Sequence, residues 1–163
     1  MKVGDPIAIG KMGSYYRDGK YGFPQDINKA LEFWQRAAKL GYTRAFNNIG
    51  NTYYNGDGVK VHREKAKHYY ELGAMGGDET ARCKLGIMEV LADNFDRAVK
   101  HFVIAISSGD NGSLETIQKL YSLDLVKKEE YTKALQIYQT YLGGIKSKQR
   151  DEAAAADGRN RYY

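Results

Sequence analysis

The side chains with chemistry in reach are few. Cys83 is the sole cysteine of the 163 residues, and as a nucleophile it would need a distant histidine to activate it. Within a helix it reads instead as a small, buried or half-buried side chain. His62, His68 and His101 lack i, i+4 spacing with another ligand, and no second cysteine supports a zinc site. Asn55, Asp57, Gly58 and Glu64 imitate positions three, five, six and twelve of a calcium loop. Position one is then Tyr53, which offers no carboxylate, so the loop lacks its first ligand. No glycine-rich phosphate cradle or nucleophile elbow is present. The expected catalytic residues, cofactors and metals are therefore none. A hydrolase built on Cys83 would lack a convergent set of partners.

Charge and aromatic content raise a second chemistry. The net charge is +5 with 14 tyrosines, and the sequence pI is about 9.1. Basic charge beside aromatics is the pattern of a single-strand nucleic-acid binder, with Lys146, Lys148 and Arg150 as candidate contacts. That reading is kept as the alternative, because Tyr16, Tyr53, Tyr70 and Tyr138 fall at repeating core positions and are already used.

The elements that position these residues come from an internal repeat. Ala8, Met12-Gly13, Tyr16, Gly19, Lys29-Ala30, Trp34 and Gly41 return as Ala45, Ile49-Gly50, Tyr53, Gly56, Lys65-Ala66, Tyr70 and Gly77. Ala81, Leu85-Gly86, Arg97-Ala98, Phe102 and Gly109 form a third copy, and Ile117, Tyr121, Lys133-Ala134 and Tyr138 a fourth. A period of about three dozen residues marks stacked helical hairpins, none of which buries its apolar side alone.

In the second copy Ala45, Ile49 and Tyr53 lie four apart on one helical face, and Ala66, Tyr70 and Ala74 do the same on a second helix. The spacing predicts helices over Thr43 to Asn55 and His62 to Met75, stopped by Gly56 and by Gly76-Gly77. Trp34, Tyr70, Phe102 and Tyr138 are expected to wedge between hairpins, each against a small residue. The third unit is shorter, with Asp93-Asn94-Phe95 in place of the glycine loop, and the fourth carries Gln118 where the others carry glycine.

The expected organisation is one all-α array over 1–156: units at about 5–41, 42–77, 78–109 and 110–142, a capping helix over 145–156 after Gly143-Gly144, and a frayed tail over 157–163 in which Tyr162-Tyr163 could fold back. Asn111-Gly112-Ser113 fits a glycosylation sequon but reads as a turn. Unit one opens close to Met1 without a polar cap, which points to a neighbour or an interface there. Met1 to Gly10 holds no signal-peptide core and no run approaches a membrane span. With a lone cysteine, the expected address is cytosolic, or else nuclear.

The combination LG-x2-Y, G-x-G-V, KA-x3-WY and AA-x2-G resembles the Sel-1-like repeat, a longer-looped relative of the tetratricopeptide repeat. It stands here as IGNTYYNGDGVKVHREKAKHYYELGAMGG, with MGSYYRDGKYGFPQDINKALEFWQRAAKLG before it and YTKALQIYQTYL near the end. The resemblance covers about residues 5–156 and is similar to arrays in microbial eukaryotes. It implies a right-handed α-superhelix acting as a non-enzymatic adaptor or scaffold, with no shared catalytic residues. Some relatives work in ubiquitin-linked quality control beside zinc-binding or membrane segments that this chain lacks, so that role is not carried over. One departure is the extra residue between Gly19 and Gly22, which should reshape that loop.

Arrays of this kind bind partners on the concave face of their first helices. Carried over by alignment, the groove residues are Lys11, Ser14 and Arg17 in unit one, Arg44, Asn47, Asn48, Asn51 and Tyr54 in unit two, and Lys84 in unit three. Asparagines can grip both backbone groups of an extended peptide, and the cations a carboxylate or an acidic side chain. A solvated helix face would have the same composition. The expected partner is a peptide segment of another protein, acidic in character.

Overall fold

The computed structural model describes residues 4–159. Among them are eight α-helices and no strand: α1 Pro6–Asp18, α2 Ile27–Lys39, α3 Arg44–Asn55, α4 Arg63–Met75, α5 Glu79–Val90, α6 Phe95–Ser107, α7 Asn111–Ser122 and α8 Lys128–Arg159. Each odd helix pairs with the even helix after it, and each pair packs on the next. The result is an all-α solenoid of four hairpins.

The helix ends follow from their flanking residues. Asp5, Asp26, Asp78 and Asp110 accept hydrogen bonds from first-turn amides of α1, α2, α5 and α7, satisfying donors with no partner inside the helix. His62 does this for α4 through Nδ1, 3.2 Å from the Lys65 amide. Gly19 and Gly56 close α1 and α3 in the left-handed region. In the short third unit Asp93 takes that conformation at φ 57°, which an aspartate tolerates better than most residues. The extra residue of the first loop is absorbed at Tyr21, also left-handed, whose ring sits 4.6 Å from that of Tyr15.

The aromatics expected between successive hairpins wedge instead inside each one, against the partner helix of the same unit. Trp34, Tyr70 and Phe102 are fully buried, and each lies on a glycine of its partner helix. A Cβ at Gly13, Gly50 or Gly86 would come within 2.6, 2.6 or 2.5 Å of the respective ring. The fourth aromatic differs: Tyr138 is only half-buried, and the position in register with the wedge glycines is Gln118.

Two further expectations are corrected. The segment after Gly143-Gly144 is not a separate capping helix, because α8 runs unbroken for 32 residues, about 48 Å at 1.5 Å per residue. It continues to Arg159, past the expected start of the tail at 157; Tyr162-Tyr163 lie outside the described residues. Asn111-Gly112-Ser113 is no free turn but the first turn of α7, with Ser113 fully buried.

Asp78 supplies a pH-dependent element. Its carboxyl is 6% exposed and accepts from the Ala81 amide at 2.7 Å, and burial, the largest influence, pushes it above its ordinary value of 3.8. An acid with a raised folded-state pKa contributes stability that is fully present below its unfolded value and lost as pH rises through its folded value. Asp78→Asn keeps the cap without the charge. The variant should gain stability relative to the parent as pH rises through that window, read as melting temperature against pH.

Candidate partner-binding site

The first helices α1, α3 and α5 carry the residues expected to face a partner, and helical register sorts them. Arg44, Asn48 and Asn51 stand at i, i+4 and i+7 of α3 and share a face. Repeat register sets Lys11 and Lys84 on either side of Asn48, and Ser14 beside Asn51. Lys11 and Arg44 are exposed, while Ser14, Asn48, Asn51 and Lys84 are half-buried.

Asn51 is anchored from below. The Tyr70 hydroxyl donates to Asn51 Oδ1 at 2.8 Å, so the residue that wedges the hairpin also orients the asparagine. Burial pushes the Tyr70 phenol well above its ordinary value, keeping it a neutral donor. The Asn48 carbonyl accepts from Thr52 Oγ1 at 3.1 Å, while Ser14 Oγ donates weakly to the Gly10 carbonyl at 3.5 Å. Asn48 and Asn51 together offer two amide heads one turn apart, the spacing at which both polar groups of a peptide unit can be met.

Three expected groove residues are placed differently. Asn47 is 6% exposed, and its Oδ1 is buried without a hydrogen-bond partner among the described residues. Its register equivalent in unit one is Gly10, against which Tyr42 of the following unit packs, so this flank of the helix meets the next hairpin rather than a ligand. Arg17 pairs with Asp18, Nε to Oδ1 at 2.6 Å, and lies over the Trp34 ring at 5.7 Å. Its guanidinium is held above its ordinary value first by that hydrogen bond. Tyr54 sits 6.5 Å from Tyr70 with Arg63 over its ring at 4.9 Å. Arg17 and Tyr54 thus cover the wedge of their own unit. Asn55 continues the α3 stripe at i+11 and is exposed, with its Nδ2 donating to Asp57 Oδ2 at 3.3 Å.

The residues weighed for catalysis have structural placements. Cys83 is half-buried, and burial pushes its thiol up, away from thiolate reactivity. His62 is a helix cap, and His68 packs edge-on at 5.7 Å against Tyr69. Among the described residues no helix is long and apolar enough to cross a membrane.

Paired antiparallel helices, a repeating wedge and first helices stacked side by side define an α-solenoid of short hairpins. The Sel1 repeat model matches residues 6–42, 45–78 and 83–110; the chain belongs to the Sel1 repeat family. It is similar to a Sel1 repeat protein from Oxalobacter formigenes of known structure, with TM-score 0.73 and 28% identity over 86% of this chain and 59% of that one. A protective antigen of uropathogenic Escherichia coli with the same kind of fold matches at TM-score 0.71 and 24% identity over 85% and 30%. That second likeness concerns the fold alone.

Among curated relatives, chitin synthase regulatory factor 4 of Schizosaccharomyces pombe is 30% identical over 72% of this chain and 19% of its own length. The ERAD-associated E3 ubiquitin-protein ligase component HRD3B of Arabidopsis thaliana is 30% identical over 60% and 15%. The chain spans about a fifth or less of the length of these two relatives.

Proposed function

We propose that this chain is a protein-interaction scaffold rather than an enzyme, holding an extended peptide segment of a partner protein across the first-helix face of α1, α3 and α5. The observation that carries this is Asn51, held by the Tyr70 hydroxyl, with Asn48 one turn away on the same face and Lys11, Arg44 and Lys84 flanking them in register. The asparagines would bind the peptide backbone and the three cations an acidic side chain or a terminal carboxylate. Relatives named as a regulatory factor and as a ligase component support the reading, since such proteins act on others rather than on a small substrate.

The test is capture of partners from a nuclease-treated lysate on the immobilised chain, compared with the Asn48→Ala/Asn51→Ala variant. Both side chains are half-buried surface groups, so the variant should keep its helical circular dichroism and lose at least tenfold in affinity for a recovered partner. Unchanged binding of every partner by the folded variant would refute the groove. Retention abolished by nuclease would instead favour nucleic acid on the basic surface.

A further inference from the structure

At each join between units four positions meet on the second-helix side. One comes from the second helix of the unit before, two from the first helix of the unit after, and one from its second helix. By repeat register they are Leu31, Phe46, Tyr53 and Tyr69 at the first join and Val99, Leu114, Tyr121 and Ile137 at the third. Both sets are apolar or aromatic. Phe46 and Tyr53 stack on Tyr69 with centroids 6.5 and 6.0 Å away, and Val99 and Leu114 belong to a buried cluster that Ile137 packs against.

At the middle join the same four positions are Lys67, Arg82, Glu89 and His101. All four have changed to ionisable types together. Glu89 is 4% exposed and accepts from Lys67 Nζ at 3.0 Å and from Asn94 Nδ2 at 3.1 Å, with Arg97 at 4.0 Å. Burial alone would raise its carboxyl, but these hydrogen bonds and the charges of Lys67 and Arg97 hold it below its ordinary range. Arg82 Nη2 donates to the Ala74 carbonyl at 2.8 Å, fixing its guanidinium at the end of α4. His101 has a buried Nδ1 with no hydrogen-bond partner among the described residues. Burial first, then Arg82, depress its pKa, so it adds no charge at neutral pH.

These residues line a cleft of about 340 Å³ between α4 and α6, floored by α5. Its four cations, Lys67, Arg82, Arg97 and Lys100, face only two carboxylates, Glu71 and Glu89. A buried ion pair is seldom more stabilising than the apolar packing it replaces. A repeat that abandons its aromatic join at four positions at once therefore departs from its own folding logic, as binding sites do.

We propose that this cleft binds a phosphorylated serine or threonine side chain of a protein partner, with Arg82, Arg97 and Lys100 taking the phosphate and Glu89 positioning Lys67 and Arg97. An excess of two positive charges matches a phosphate dianion better than a single carboxylate, and guanidinium forks suit its oxygens. The site lies away from the first-helix groove and does not depend on it.

The test is titration of the isotopically labelled chain with a capped Ala-phosphoserine-Ala peptide at low salt, followed by amide chemical shifts. Unmodified, glutamate-containing and inorganic-phosphate titrations run in parallel. The phosphopeptide should shift amides of α4, α5 and α6 saturably and bind at least tenfold more tightly than the three others. Arg97→Glu/Lys100→Glu reverses two exposed charges and should reduce that affinity at least tenfold with its melting temperature retained. Lys39→Glu/Lys60→Glu, the same charge change elsewhere, should not. Absence of saturable binding, equal binding of the glutamate peptide or of inorganic phosphate, or equal loss in both charge reversals would overturn the proposal.

Discussion

Trp34→Ala should lower the unfolding free energy by about 3–5 kcal/mol, the largest effect expected of any single truncation in the first two hairpins. The indole is fully buried, donates from Nε1 to the Gly10 carbonyl at 3.1 Å, and fills the gap left by Gly13. Its removal leaves a cavity that the helices cannot close without moving together, and it forfeits the indole hydrogen bond to the Gly10 carbonyl. Because each repeat is stabilised by its neighbours, the loss should reach the join with the second unit as well. Tyr138→Ala removes the equivalent aromatic of the fourth unit, yet that ring is half-buried and in register with Gln118 rather than a glycine, and the cost should be only about 1–2 kcal/mol. Urea unfolding followed by far-ultraviolet circular dichroism measures both. Equal losses in the two variants would show that glycine-backed burial is not what separates the wedges.

The repeat made the hairpins and the identity of the buried aromatics legible because both depend on period alone. The period does not say that each ring closes its own hairpin rather than the join to the next. Alanines and glycines at fixed offsets leave room for the aromatics, and Trp34, Tyr70 and Phe102 are fully buried. The candidate groove was only half legible. Exposure on a helix depends on which neighbour covers each flank, and Asn47 differs from Asn48 by 100° of rotation, enough to put it into the next unit. The charged middle join was open to the same alignment that revealed the repeat, since Lys67, Arg82, Glu89 and His101 all break the pattern. The repeat does not show that they meet, because they come from three different helices, α4, α5 and α6.

Gly143-Gly144 was the harder case, as it looks like Gly76-Gly77 in sequence. Asp78 follows the earlier pair and caps α5, so a new helix can begin there with its amides satisfied. Ile145 follows the later pair and can cap nothing. Continuing the helix is then the way to satisfy those amides, and α8 does so. Gly77 takes φ +86° accordingly, whereas Gly143 and Gly144 are not among the positive-φ glycines.

The same substitution should therefore have opposite signs at two glycines. Gly86→Ala puts a Cβ 2.5 Å from Phe102 Cε1 and 2.8 Å from Cδ1. Phe102 is fully buried and has no free direction in which to retreat, so overpacking should cost about 1–3 kcal/mol. Gly143→Ala meets no neighbouring atom within 4 Å and lies inside α8. There alanine restricts the unfolded chain and favours the helix, stabilising by about 0.5–1 kcal/mol. Calorimetric melting of the two variants beside the parent decides the matter. A destabilised Gly143→Ala would mean that α8 breaks at the glycine pair in solution, restoring the separate capping helix and detaching the long overhang from the fourth hairpin.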